Sequence, residues 1–298
     1  MDSVISKNPP VVQRFPGNPI IRPHMDAEMG DNINGPSLIR VPDSIQNPLG
    51  RYYLYFGHHK GSYIRLAYAD ELAGPWRIHS PGVLSLEDSY FADHIASPDV
   101  HVDAENRQVR MYFHGVDLTA GDGRRQQSRV ALSENGLGFA VRPELLGNPY
   151  FRAFKWRGDH YAIGMPGVFY RSPDGLSSFE HGPTLFSPDM RHCAVMVEGD
   201  LLLVFYTNVG DAPERILFST IELSSDWRDW QESEPVVVLE PEMDWEGGDE
   251  PLLPSVRGLV NGLVRQLRDP VFFTENGQKY LLYAAGGESG IAIAELAW

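Results

Sequence analysis

One pattern recurs five times along the chain: an apolar strand, a polar turn, a second strand ending in aromatic and small residues, a longer loop, and a third strand running into another turn. Such a repeat constrains the fold strongly, because each unit must bury its apolar face against its neighbours. The second strands align as Tyr52-Tyr53-Leu54-Tyr55-Phe56, Val109-Arg110-Met111-Tyr112-Phe113, His160-Tyr161-Ala162-Ile163, Leu201-Leu202-Leu203-Val204-Phe205-Tyr206 and Tyr280-Leu281-Leu282-Tyr283. Tight-turn signals precede most of them, among them Arg157-Gly158-Asp159, Glu198-Gly199-Asp200 and Glu275-Asn276-Gly277. Asn and Gly supply the positive φ that hairpins need there. The third strands match too, as in Ile64-Arg65-Leu66-Ala67-Tyr68 and Ser128-Arg129-Val130-Ala131-Leu132. Two of them enter near-identical turns, Ser133-Glu134-Asn135-Gly136-Leu137 and Ser172-Pro173-Asp174-Gly175-Leu176, where the first has Gly74-Pro75-Trp76.

Spread over 298 residues, each unit is about 55 to 60 residues long, which suits a four-stranded blade. The expected class is all-β, a five-bladed β-propeller filling residues 1–298 as a single domain. A β-sandwich with regular hairpins would not need the same turn chemistry five times. No helix of appreciable length shows a 3.6-residue period. The C-terminal strand, Gly290 to Leu296, is expected to pair with an N-terminal strand around Val11 to Ile21, closing the ring without an exposed edge.

Composition excludes several classes of function. A formal charge of −15 repels nucleic-acid phosphates. No stretch approaches the roughly 18 apolar residues of a membrane span. The opening MDSVISKNPP lacks the basic start and apolar core of a secretory signal, and the one cysteine, Cys193, has no internal partner, so a cytoplasmic home is expected. Cys193 lies in an apolar run and reads as a buried, inert thiol.

Topology indicates where a site would lie. In an up-and-down blade, the start of the innermost strand and the loop joining strands two and three share one face. The long, polar segments fall there, and function favours such loops. The strand starts are Asn34-Gly35-Pro36-Ser37, Ala96-Ser97-Pro98-Asp99, Asn148-Pro149-Tyr150, Met190-Arg191-His192 and Leu267-Arg268-Asp269-Pro270. The loops include Gly57-His58-His59-Lys60-Gly61, His114 to Gln127, Asn208 to Glu214 and Gly286-Gly287-Glu288-Ser289-Gly290. Two acidic clusters, Glu87-Asp88 through Asp93-His94 and Trp245 to Glu250, feed the same rim. Carboxylates, histidines and arginines gathered in this way suit acid/base work on a polyhydroxylated ligand. The catalytic candidates are Asp93, Asp99, Glu246 and Asp269. The substrate-binding candidates are Asn34, Lys60, His94, His114, Arg152, Arg191, His192, Arg268 and Glu288. No cofactor and no catalytic metal is expected, because no recognised ligand spacing such as His-x-x-x-His occurs. The expected partner is a small carbohydrate, neither nucleic acid nor membrane.

At the Asp269-Pro270 and Arg191-His192 strand starts, and at the Gly74-Pro75-Trp76 and Asp174-Gly175-Leu176 turns, the chain resembles the five-bladed glycoside hydrolases of family 43 and its relatives. That resemblance implies cleavage of a glycosidic bond by carboxylates around the central channel, and in some members an ion held there. Two carboxylates far enough apart to admit water would fit inversion. One would protonate the leaving oxygen with a raised pKa and the other would activate water, with the roles among the four candidates left open. The chain departs from the usual triad. Blade one has Gly35-Pro36 in place of Asp-Pro, blade two has Ser97-Pro98, and the start of blade three holds no Glu. The cations Lys60, Arg152, Arg191 and Arg268 open an alternative, an anionic ligand bound by charge-assisted hydrogen bonds. The family 130-type glycoside phosphorylases, which the architecture also resembles, use phosphate as the attacking group and need only one carboxylic acid. A non-catalytic sugar-binding propeller is the alternative from another class.

Overall fold

The structure, a computed structural model, describes residues 7–119 and 125–298. Part of the opening segment and the middle of the His114 to Gln127 loop fall outside the described residues. Strand β1 (Val11–Arg14) is followed by blade one, β2 (Asn34–Arg40), β3 (Tyr52–Gly57), β4 (Tyr63–Ala69) and β5 (Arg77–Ser85). Blade two is β6 (Ala92–Asp103), β7 (Gln108–Asp117), β8 (Arg125–Ser133) and β9 (Ala140–Val141). Blade three is β10 (Arg152–Trp156), β11 (Asp159–Gly164), β12 (Val168–Ser172) and β13 (Glu180–Thr184). Blade four is β14 (Met190–Glu198), β15 (Leu201–Asn208), β16 (Ile216–Glu222) and β17 (Val236–Leu239). The last three strands are β18 (Arg268–Glu275), β19 (Gln278–Ala284) and β20 (Ile291–Ala297), and β1 completes their sheet. Five four-stranded antiparallel sheets thus make the five-bladed propeller expected from the repeat. Val11 pairs with Ala297 and Arg14 with Ala294, so the first strand closes the last blade.

Each of the five apolar clusters sits in a seam between two adjacent blades. Blades five and one meet at Ile33, Tyr52 and Ile293, and blades one and two at Tyr55, Leu66 and Met111. Blades two and three meet at Tyr112 and Phe151, three and four at Tyr161 and Trp230, and four and five at Phe205 and Tyr283. The middle strands are buried on both faces, which is why β3 reads as a continuous apolar run instead of an alternating one. The repeated turns have a seam function as well. Ser133 Oγ accepts from Gly136 N at 2.8 Å, and the Gly136 carbonyl accepts from Tyr55 of blade one at 2.9 Å. Ser172 and Gly175 repeat the turn at 3.0 Å, with Tyr112 of blade two donating to the Gly175 carbonyl at 2.7 Å. The same turn therefore latches a blade to its predecessor twice.

Candidate active site

The innermost strands open on a shared irregularity. Register shifts interrupt the pairing between Asn34 and Ser37, Ala96 and Asp99, Met190 and Cys193, and Arg268 and Val271. At these starts Gly35, Ser97 and Asp269 have φ of 59°, 49° and 48°, and Tyr150 of blade three has 62°. Three of the four precede a proline. Left-handed backbone is costly for Ser, Tyr and Asp, and such residues concentrate at ligand sites. In blades one, two and five the register shifts turn these positions into the channel.

The result is a narrow pocket lined by Asn34, His59, His94, Ala96, Ser97, His114, Gln126, Tyr150, His192, Asp269 and Glu288. Asp269 is buried at its floor. Its Oδ2 accepts from the Gly35 amide at 2.9 Å, and its Oδ1 contacts His192 Nδ1. Burial pushes the Asp269 carboxyl up, but His192, the Gly35 amide and the Arg191 guanidinium outweigh it and hold the group well below the usual carboxylate range. Asp269 is ionised. Burial depresses His192 despite the pull of Asp269, so the neutral ring is favoured beside the carboxylate.

Glu288 forms the second acidic wall. Its Oε1 meets His59 Nδ1 at 2.9 Å and Arg268 Nη1 at 3.0 Å, and its Oε2 accepts from Asn32 at 2.6 Å. Burial raises its pKa, yet His59, Asn32 and Arg268 bring the net shift below the ordinary value. Arg268 has no exposed side-chain surface and is held by Gln266 Oε1 at 2.6 Å and by Glu214 at 3.3 Å. Glu214 in turn accepts from Arg191 at 3.1 Å and Thr207 at 2.9 Å. Both arginines are thus neutralised behind the pocket wall, as buried charges must be.

Opposite this network runs an aromatic column. His94 meets His114 with centroids 6.0 Å apart, His114 meets Tyr150 at 4.2 Å, and Tyr150 meets His192 at 4.5 Å. His114 is fully buried with Nδ1 unpartnered among the described residues, and burial drives its pKa well below the usual value. Tyr150 is half-buried and its hydroxyl is pushed up by desolvation, so it is a neutral phenol facing the pocket. At the mouth, His94 Nδ1 lies 3.1 Å from Asp93 Oδ2 and its Nε2 lies 3.3 Å from Gln126. Burial depresses His94, with Asp93 acting in the opposite sense.

Of the four catalytic candidates, only Asp269 lines this pocket, with Asp93 joining through His94. Asp99 lies past the bulge in the lower channel, against a larger void lined by Ser37, His101 and Arg152. It accepts from His101 at 2.8 Å and from the Ala153 amide at 2.8 Å, with Arg152 at 3.9 Å. Burial opposes its ionisation, but His101, Arg152 and the Ala153 amide win, so its pKa is lowered. That carboxylate is engaged from every side, so the greater volume of the lower void does not make it the better site. Glu246 is remote from the pocket. It binds Arg14 at 2.9 Å, Tyr283 at 2.8 Å and the amides of Glu242 and Met243, tying the closing strand to the loop before blade five.

Among the expected binding residues, Asn34, His94, His114, His192 and Glu288 line the pocket, and Arg191 and Arg268 stand behind it. Arg152 instead donates to the Cys193 and Pro98 carbonyls in the lower channel. Lys60 points to solvent while its neighbour His59 turns inward. Burial pushes the Cys193 thiol up to about 12, as an inert cysteine requires. Gln126, Tyr150 and Glu214 were not singled out. Tyr150 and Glu214 had a signal, one at a strand start and the other ending a rim loop, whereas Gln126 had none. Among the described residues no group of three or more His, Cys, Asp or Glu is arranged to hold a metal ion.

Comparisons with known proteins agree with this architecture. No protein-family model matches the chain. Among solved structures, a glycosyl hydrolase from Bacteroides ovatus superposes with a TM-score of 0.67 at 11% identity, covering 97% of this chain and 94% of that one. A GH43_1 enzyme from Xanthomonas citri complexed with xylose gives 0.62 at 14% identity, covering 93% and 90%. At such identities the likeness establishes the propeller fold. A stronger sequence match is to the uncharacterized protein R118 of Acanthamoeba polyphaga mimivirus, 36% identical over 322 aligned positions that cover 96% of this chain and 90% of that protein. With that identity sustained along nearly the whole length of both proteins, the chain belongs to the same family as mimivirus protein R118.

Proposed function

We propose that the protein is a glycoside-acting enzyme, a hydrolase that takes one ring of its substrate into the pocket around Asp269. The observation that carries this reading is Asp269 itself, an ionised carboxylate at the floor of a small polar pocket walled by imidazoles, amides and a phenol. A group of that kind takes a proton from water or a sugar hydroxyl as the bond breaks. Asn34, Gln126, His59 and Tyr150 offer the donors and acceptors that fix sugar hydroxyls. The proton for the leaving oxygen comes from the Asp93–His94 pair: Asp93 holds Nδ1, and protonated His94 presents Nε2 at the mouth. The solved GH43_1 enzyme complexed with xylose and the solved glycosyl hydrolase that share the fold support this substrate class.

The phosphate-using alternative draws little support from the site. Arg191 and Arg268 are bound to carboxylates, Arg152 lies elsewhere, and Lys60 alone among the four stands at the rim. A sugar-binding protein without turnover is the second reading, favoured by Gly35 and Ser97 standing where carboxylates would complete a triad. The deciding experiment incubates the protein with aryl glycosides and oligosaccharides, with and without phosphate. Cleavage independent of phosphate, abolished by Asp269→Asn, supports hydrolysis. Phosphate-dependent turnover supports phosphorolysis, and calorimetric binding without any cleavage supports the binding protein.

A further inference from the structure

The loop joining β3 to β4 carries the pocket residue His59, and its backbone is fixed without that side chain. The Gly61 amide donates to the His58 carbonyl at 2.9 Å, closing the turn, and the Ile95 amide of blade two donates to the Gly61 carbonyl at 3.0 Å. The His59 amide itself donates to Asn32 Oδ1 at 2.8 Å. The imidazole is therefore not needed to anchor the loop. Even so, the ring is turned inward, where it lines the same pocket as Asp269, and its Nδ1 lies 2.9 Å from Glu288 Oε1.

Glu288 is fully engaged. Asn32 Nδ2 donates to its Oε2 at 2.6 Å while Asn32 Oδ1 holds the His59 amide, so one side chain sets both members of the pair. Arg268 Nη1 shares Oε1 at 3.0 Å. Burial opposes ionisation of this carboxyl, but its three donors outweigh it. An ionised carboxylate only accepts, so the proton between Glu288 and His59 sits on Nδ1. In the neutral ring Nε2 then carries the lone pair, and it makes no hydrogen bond among the described residues. An acceptor left open in a polar pocket calls for a donor from the ligand.

We infer that His59 Nε2 accepts a hydrogen bond from one ring hydroxyl of the substrate, which must be free at that position, and that Glu288 and Asn32 are the positioning residues behind it. The inference rests on the glycoside reading of the pocket. A ring that is deoxygenated, methylated or acylated at that position offers no proton to Nε2. Binding such a ring would leave the acceptor desolvated and unpaired, which a site built around a hydrogen bond penalises.

The test takes the tightest-binding glycoside of the panel and compares it with its monodeoxy analogues at mildly alkaline pH, by kcat/KM and by calorimetric affinity. One analogue should fall below the parent by about 10- to 100-fold in the unaltered protein, and lie within about threefold of it in His59→Phe. Glu288→Gln should shrink the penalty at that position alone. Long-range proton–nitrogen NMR of the unaltered protein should show His59 protonated on Nδ1, with an Nε2 resonance that moves when the parent binds and not when that analogue does. The spectrum decides the matter even if His59→Phe does not fold. Cleavage of the parent with no analogue singled out by His59→Phe would overturn the inference and leave the hydrolase reading standing. Discrimination in binding without cleavage of any glycoside would uphold the role of His59 and defeat the hydrolase reading. A ring protonated on Nε2 and bare on Nδ1 would overturn the inference whatever the activity, as would failure of every glycoside to bind.

Discussion

The Gly35 amide of blade one donates to the Asp269 carboxylate of blade five across 2.9 Å. The blade that lacks its own strand-start carboxylate therefore supplies a backbone donor to the one that has it. The glycine is required for this. Its φ is 59°, and a Cβ there would lie 2.9 Å from the Ser97 Cα.

Gly35→Ala should therefore lower stability by about 1 to 3 kcal/mol, through backbone strain and the clash with blade two. Gly35→Asp, which would write in the Asp-Pro of the resembled hydrolases, should fail for the same reason and gain no activity. Urea unfolding measures both, and a midpoint unchanged in the alanine variant would refute the account.

Asp269→Asn should cut kcat by about 10²- to 10⁴-fold with the fold retained, the usual cost of losing a proton-transfer group. Asp99→Asn should spare kcat to within a few-fold and destabilise by about 2 kcal/mol, because it weakens charge-assisted bonds to His101 and the Ala153 amide. Steady-state kinetics on both variants separates the pocket from the lower channel. Equal losses would show that the two ends act as one site.

Glu246→Gln should leave turnover intact and reduce stability by about 3 kcal/mol, since it strips a buried charge from Arg14. The closing strand β1 should be the first element to lose hydrogen-exchange protection. Loss of activity with normal stability would return Glu246 to the list of catalytic groups.

Acid should weaken the fold in two stages. Burial lowers the folded pKa of His94, His114 and His192 below 6.5, so the unfolded chain binds more protons just below that pH. Their contribution is complete above about 6.5 and falls as the pH drops, by up to about 1.4 kcal/mol per pH unit for each ring. Asp269 and Glu288, with lowered values, add a loss only below about pH 4. Thermal melts from pH 7.5 to 5 should fall in the unaltered protein and fall less in His114→Phe, which keeps the stack on Tyr150. Parallel curves would contradict a buried neutral His114.

Catalysis should respond in the opposite direction. The reaction needs protonated His94, whose pKa burial places below 6.5, so kcat/KM should decline as pH rises through that value while Asp269 stays ionised throughout. His94→Gln should be slower and lose that limb. A profile in the variant that keeps the limb would assign the proton to another group.

The propeller was legible because its seams are written in local chemistry. The Ser-x-Asn/Asp-Gly-Leu turns of blades two and three exist to present a glycine carbonyl to Tyr55 and Tyr112, and both halves of each latch stand in the repeat. The site was less legible. Asp269 stands one residue before its proline and enters the pocket, whereas Asp99 stands one residue after its proline, two positions further along, where the register shift between Ala96 and Asp99 leaves it beyond the bulge. Glu246 sits in a polar stretch that reads as solvated rim, yet it folds back onto Arg14, more than two hundred residues away.

The sequence by itself determined the number of blades, their order and the face on which polar loops gather, because hairpin turns and apolar strands are short-range features fixed by neighbouring residues. Only the tertiary structure decided which carboxylates meet. Asp269, Gly35, His192 and Glu288 come from four separate loops and strand starts of three blades, and their distances are set by ring closure and bulge geometry, which no local pattern encodes.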